Sequence, residues 1–396
     1  MSKLLKILAY GCSILLVFII GFVAVNYTYI SRLSSLEGVD FVHDTEWFEP
    51  VVKVESKDNK ARLSIAKDAA AEQNQQFSEA FQYAEQVGSS AFLVWHNGEL
   101  VAQKYWKGED SDSYMQTFSI QKTIVSLLIG IAVDRGEIES VKDPASKYIG
   151  QWIDMPYGEI TIEHLLTMSS GLYLPPIDLN NSFLAHSTKL NYSDDISNVA
   201  RSLEQVKAPG TVFEYNNSNP QLLVDVLEAA TGEKLAAYLQ KHLWSKLAAN
   251  PAYVWLDHEG GTAHGFSYLI AKPEDLLAVG LMIMNNGMVA DQQVVSSEWV
   301  RQATQPSKSN PNYGYLTWLG NPFKPMRTYR PGAKFGVIHS APYLADDVVF
   351  FDGFGGQRVY VIPSKQLVIV RVGDVRFDFD DAKLPNAVIQ AITQAQ

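Results

Sequence analysis

Two β-hairpin signals lie near opposite ends of this chain, and between them the sequence turns helical. The first is "AFLVWHNGELVAQKYW", in which Asn97-Gly98 separates two runs rich in strand formers. Asn-Gly in that setting is the strongest short-range hairpin signal, because both turn residues must take positive φ. The second is "RVYVIPSKQLVIVRVG", two nearly continuous apolar runs around Pro363-Ser364-Lys365. A helix is expected from Phe77 to Val87, with Phe77, Phe81 and Ala84 on one face, and a C-terminal one from about Leu384. Residues 137–310 are mostly helical in period ("TIEHLLTM", "QLLVDVLEAATG", "KLAAYLQKHLWSKL", "PEDLLAVGLMIMNNG"), with Gly232 and Gly287 where C-caps belong. The expected fold class is α+β: an antiparallel sheet built from both chain ends, flanked by helices, with a mostly helical region inserted at about 137–310.

Such a sheet needs a large core, and 47% apolar residues with 11% aromatics supply it. Lys and Arg number 32 against 43 for Asp and Glu, a formal charge of −11. That balance argues against nucleic acid as a partner, which calls for clustered positive charge. The single cysteine, Cys12, lies in the apolar N-terminal stretch, so disulfides, thiolate catalysis and cysteine zinc sites are excluded from the rest of the chain.

From Ile7 to Ser31 run 25 uncharged residues, preceded by Lys3 and Lys6 and followed by Glu37, Asp40, Asp44 and Glu46. About 20 apolar residues cross a bilayer, and positive charge stays on the cytoplasmic side. The expectation is a membrane anchor over residues 1–31, with the catalytic part periplasmic or extracellular. A cleaved signal peptide is the alternative, although its apolar region is shorter and no small-x-small site follows this run. Residues 32–72 are polar and weakly periodic and read as a stalk, leaving 73–396 as the folded domain.

"FSIQKTIVSLLIGIAVDRG" places Ser119 and Lys122 at the head of a long apolar helix. A cation there opposes the positive end of the helix macrodipole, so structure alone gives no reason for it. Residues three apart share a helix face, which brings Ser119 Oγ within reach of Lys122 Nζ. Serine is a weak nucleophile until a base takes its proton, and burial favours the neutral amine that could do so. "SIAK" at Ser64 to Lys67 matches the same tetrapeptide among polar residues and reads as chance. Downstream, "APGTVFEYNNSN" offers Tyr215 and Asn217 just before a helix. A phenol near a Ser/Lys pair can relay a proton; equally, an Asn- and Ser-rich helix entry has this composition.

Four stretches, "FSIQKT", "IGIAVDRGEIESVKDPASKYI", "ITIEHLLTMSSGL" and "PGTVFEYNNSN", in this order resemble the serine beta-lactamase-related family. That family includes class C beta-lactamases, D-alanyl-D-alanine peptidases, esterases and 6-aminohexanoate-dimer hydrolases. The resemblance runs from about Phe77 to the C-terminus and implies a beta-lactamase-like fold. It implies Ser119 as nucleophile, Lys122 as base and Tyr215 as proton relay. The Asn217 amide can hold the substrate carbonyl or the lysine, and no cofactor or metal is needed for this chemistry. Where family members carry Lys-Thr-Gly or His-Thr-Gly, this chain reads "VVFFDGFGGQ". With Gly353 as the motif glycine, Phe351 replaces the cation, and Asp352 is expected to repel a substrate carboxylate. Gly353 to Gln357 resembles the aminohexanoate-dimer hydrolase branch, and an oxyanion donor is expected from Phe354 or Gly355. The implied substrate is a small ester or amide. A penicillin-recognising or acyl-sensing domain that acylates without turnover is the alternative.

Other candidates give less. His264 reads as a surface or structural histidine in a loop, His164 as structural, and His258-Glu259 lacks the second histidine of a zinc motif. "NYGYLTW", Asn312 to Trp318, walls a cleft or fills a core. Asp178 to Lys189 reads as a loop over the cleft mouth. No Gly-x-Ser-x-Gly elbow occurs.

Overall fold

The computed structural model describes residues 3–56, 75–153, 155, 157–176, 182–247 and 249–394. Fourteen strands occur among them. In chain order they begin with β1 (Val51–Val54), β2 (Ser89–His96), β3 (Glu99–Tyr105), β4 (Met115–Gln116), β5 (Ala252–Trp255), β6 (Leu269–Ala271) and β7 (Met288–Val289). They continue with β8 (Gln292–Gln293), β9 (Trp318–Leu319), β10 (Met326–Arg327), β11 (Val337–Ile338), β12 (Val349–Gly353), β13 (Gln357–Ile362) and β14 (Leu367–Gly373).

The two hairpins meet. The main sheet has six antiparallel strands in the order β3-β2-β14-β13-β12-β9, with the two hairpins joined where β2 pairs with β14, Leu93 opposite Val370. Asn97 and Gly98 take φ of 49° and 95°, as a two-residue hairpin turn requires. β13 and β14 are buried at every position, so both faces of the sheet are covered. The helix Pro273–Met284 packs on β13, β14 and β2, and the helices Ser78–Gln86 and Lys383–Gln394 pack together beside β2. The chain's beginning and end are thereby locked into one sheet.

The helix Gln121–Asp134 is apolar all round and buried along nearly its whole length against Ser218–Thr231. Gly232 closes Ser218–Thr231 in the left-handed conformation, φ 71°. Asn285 caps Pro273–Met284, with Gly287 two residues beyond at φ 84°.

A second sheet, β1-β5-β6-β4, escaped the sequence reading, and it corrects the stalk boundary. β1 pairs with β5, Val51 opposite Trp255. Val42 and Phe48 are buried, and Arg32 donates to the carbonyls of Glu49, Tyr192, Ser193 and Leu256. Residues 32–56 therefore belong to the folded body. The remainder of the expected stalk, including Ser64 to Lys67, lies outside the described residues.

At the N-terminus the helix Lys3–Val25 turns through 76° into Tyr27–Ser34. Among the described residues no single helix is long and apolar enough to cross a membrane; this bent pair passes by length and composition.

Candidate active site

A short 3-10 turn, Phe118–Ile120, leads into Gln121–Asp134, so Ser119 and Lys122 lie on adjoining turns at the head of a buried helix. Lys122 Nζ is 2.6 Å from Ser119 Oγ and 2.7 Å from the Phe266 carbonyl. A neutral amine meets both: it donates one N–H to the carbonyl and offers its lone pair to the serine hydroxyl. Lys122 is 1% exposed. Burial holds its pKa well below the usual lysine value, and the Asp352 carboxylate opposes part of that shift.

Tyr215 completes the cluster. Its ring lies 4.8 Å from Lys122 Nζ, which places the phenol beside the Ser119–Lys122 pair. Burial, reinforced by the Asp352 charge, keeps the phenol's pKa well above its usual value, with the nearby Ser119 side chain pulling the other way. Tyr215 is held from several sides. Trp318 stacks on it at 5.9 Å, Tyr329 packs at 5.1 Å, and its backbone N–H donates to the Tyr329 carbonyl at 2.8 Å. The aromatic run Asn312 to Trp318 thus both fills the core and backs the site. Asn217, half-buried, stands at the N-cap of Ser218–Thr231 without capping it.

The end of β12 forms the opposite lip. A Cβ built on Gly353 would lie 2.7 Å from the Thr117 carbonyl, so only glycine lets this strand approach the serine turn so closely. Phe354 follows, exposed, with its ring 5.9 Å from that of Phe118; Gly355 turns at φ 71°.

Asp352 requires a correction. It does not repel a carboxylate, because its charge is neutralised inside the protein. Arg327 and Arg358 each bridge Asp352 and Asp381, with N···O distances of 2.9, 3.0, 2.6 and 2.8 Å, closing a buried ring of alternating charge. The Tyr329 hydroxyl donates to Asp352 at 2.9 Å. Burial alone would raise the Asp352 pKa, but the two guanidiniums outweigh it and hold it low. Sequence reasoning missed this ring and the Phe266 carbonyl. One signal was available: closing the "DGFGGQR" turn as a hairpin sets Asp352 opposite Arg358, as the structure has it.

The other candidates separate from the site. His264 is fully buried and stacked on Trp255 at 4.4 Å, so it is structural and not on the surface. His164 closes a capping box with Thr161. His258 is exposed, and no cluster of potential metal ligands occurs among the described residues. Two cavities, of about 180 and 570 Å³, exclude Ser119 and Lys122; the smaller shares Trp318 and Arg327 with the wall behind Tyr215. Of the expected loop over the cleft, residues 178–181 lie outside the described residues. His186 ties the remainder to Ser218 at 3.1 Å.

Comparison with known proteins bears on the fold and the family. The 6-aminohexanoate-dimer hydrolase of Paenarthrobacter ureafaciens is 26% identical over 234 residues, 55% of this chain and 58% of that protein. A D-aminopeptidase of Brucella ovis is 26% identical over 225 residues, 52% of this chain and 42% of the relative. The chain therefore spans about half the length of these relatives. A solved Bacillus anthracis structure, assigned provisionally as a 6-aminohexanoate-dimer hydrolase, superposes with a TM-score of 0.69 at 19% identity, covering 89% of this chain and 92% of that one. The beta-lactamase family model matches residues 70–391. With the sheet closed by both chain ends and a Ser-x-x-Lys turn facing a tyrosine, this chain belongs to the beta-lactamase family.

Proposed function

We propose that this chain is a serine hydrolase that cleaves a small ester or amide through an acyl-enzyme. Ser119 Oγ attacks the carbonyl as its proton passes to Lys122 Nζ. The amine, working with the Tyr215 phenol, delivers a proton to the leaving group. Water, activated by the same groups, then releases the acid. The Ser119 N–H at the helix head and the Phe354 N–H beyond β12 are the proposed oxyanion donors, Gly353 setting their approach, with Gly355 shaping the turn and Asn217 orienting substrate. The observation that carries this reading is the 2.6 Å contact between Ser119 Oγ and a buried Lys122 Nζ. Removing the hydroxyl tests it. Across a panel of active esters, Ser119→Ala is expected to lower kcat/KM by at least roughly 10³-fold; undiminished hydrolysis would overturn the assignment.

The 25-residue uncharged run and the bent helix pair support a second part of the reading. The N-terminal segment anchors the protein in a membrane, with the catalytic body on the periplasmic or extracellular side.

A further inference from the structure

Three phenylalanines run outward from the nucleophile. Phe118 immediately precedes Ser119, its ring is 5.9 Å from that of Phe354, and Phe354 is 5.6 Å from Phe377 in an edge-on contact. Phe354 is 43% exposed and Phe377 is 72% exposed. A single exposed phenylalanine needs no explanation, but a connected series beside a reactive serine does.

The series is built rather than loose. Phe118 sits at φ 51°, a left-handed conformation that is strained for a bulky residue and persists only where its surroundings enforce it. The Gln116 side chain accepts from its backbone N–H. Phe377 is carried between Arg376 and Asp378, which hold each other through two hydrogen bonds of 2.8 and 2.7 Å. The Arg376 N–H donates to the Gly355 carbonyl, tying this loop to the turn that carries Phe354. Charge points the same way. Phe351, at the place expected for a carboxylate-binding cation, is buried, and Arg327 and Arg358 are committed to Asp352 and Asp381.

We propose that Phe118, Phe354 and Phe377 form the binding track for the acyl part of the substrate, so that the enzyme acts on esters or amides of an uncharged, apolar acyl chain. The acyl part is the one retained on Ser119 through both half-reactions, and therefore the one that stays beside Phe118. This rests on the acyl-enzyme reading.

The test measures the rate at which Ser119 is acylated by 4-nitrophenyl acetate, 4-nitrophenyl hexanoate and mono-4-nitrophenyl adipate. Wild type is expected to prefer hexanoate over both others, and Phe377→Ala to lower the hexanoate-to-acetate ratio about tenfold, within the range that a few methylenes of apolar contact supply. Phe354→Leu is expected to lower it less than Phe377→Ala. A merely structural role would slow both esters together and leave the ratio in place. Preference for the adipate, or a hexanoate-to-acetate ratio unmoved by Phe377→Ala, would overturn the track. If Ser119→Ala abolishes acylation while the ratio stays fixed, the track alone falls; if acylation survives Ser119→Ala, the nucleophile assignment falls with it.

Discussion

In the proposed mechanism Lys122 takes the serine proton, and its protonation is set by two opposed effects. Burial favours the neutral amine, while the nearby Asp352 charge favours the ammonium. Only the neutral form accepts a proton from Ser119, so kcat/KM should rise with pH as the ammonium is lost, along a limb placed below the usual lysine range. Asp352→Asn removes the effect that raises the Lys122 pKa. It also leaves Arg327 and Arg358 facing only Asp381, a net positive ring that disfavours the ammonium further. Tyr215 and Tyr329, the other titratable groups here, stay neutral. All of this moves the acid limb to lower pH, which a kcat/KM profile of the folded variant would reveal. Opening the buried ring should also cost about 3–5 kcal/mol of stability. A limb that stays in place would show that Asp352 only braces the strand. At this scale Ser119 and Lys122 were legible because their pairing is a matter of helix spacing. Of the ring that neutralises Asp352, only the pairing with Arg358 was legible, from the hairpin; Arg327 and Asp381 join from outside that hairpin, Asp381 through the two arginines.

Elements place these side chains through close backbone approach. β12 ends at Gly353 against Thr117, and the turn beyond it carries the proposed Phe354 donor. Gly353→Ala puts a methyl within 2.7 Å of the Thr117 carbonyl oxygen and is expected to push the strand end away from the serine. A displacement near 1 Å can cost roughly 100-fold in catalysis, and that loss in kcat is the expected outcome. An unchanged kcat would mean that β12 supplies nothing to the oxyanion. Both hairpins could be read from sequence because their turns and strands are contiguous. The second sheet could not: β1, β4, β5 and β6 are two to four residues long, and β1 finds β5 about 200 residues away. Sequence left His264 between a surface and a structural role for the same reason. Its burial comes from stacking on Trp255 in β5, not from its own loop.

For the molecule as a whole, Arg32 ties the N-terminal helices to the folded body, and the proposed membrane anchor is testable through that link. Its four backbone acceptors come from residues as far apart as Glu49 and Leu256. The full chain should sediment with membranes, resist carbonate extraction and come free in detergent. A form beginning at Tyr27, which keeps Arg32, should be released without loss of activity; full-length protein in the carbonate supernatant would refute anchoring. The central claim concerns covalent chemistry and is settled most directly by mass. Mixing the protein with an activated ester and following its intact mass in time should show one acyl adduct, mapped to the peptide carrying Ser119, that forms and then decays to the unmodified mass. It should be absent in Ser119→Ala. An adduct on another residue, or hydrolysis with no adduct under conditions that trap one, would contradict the account.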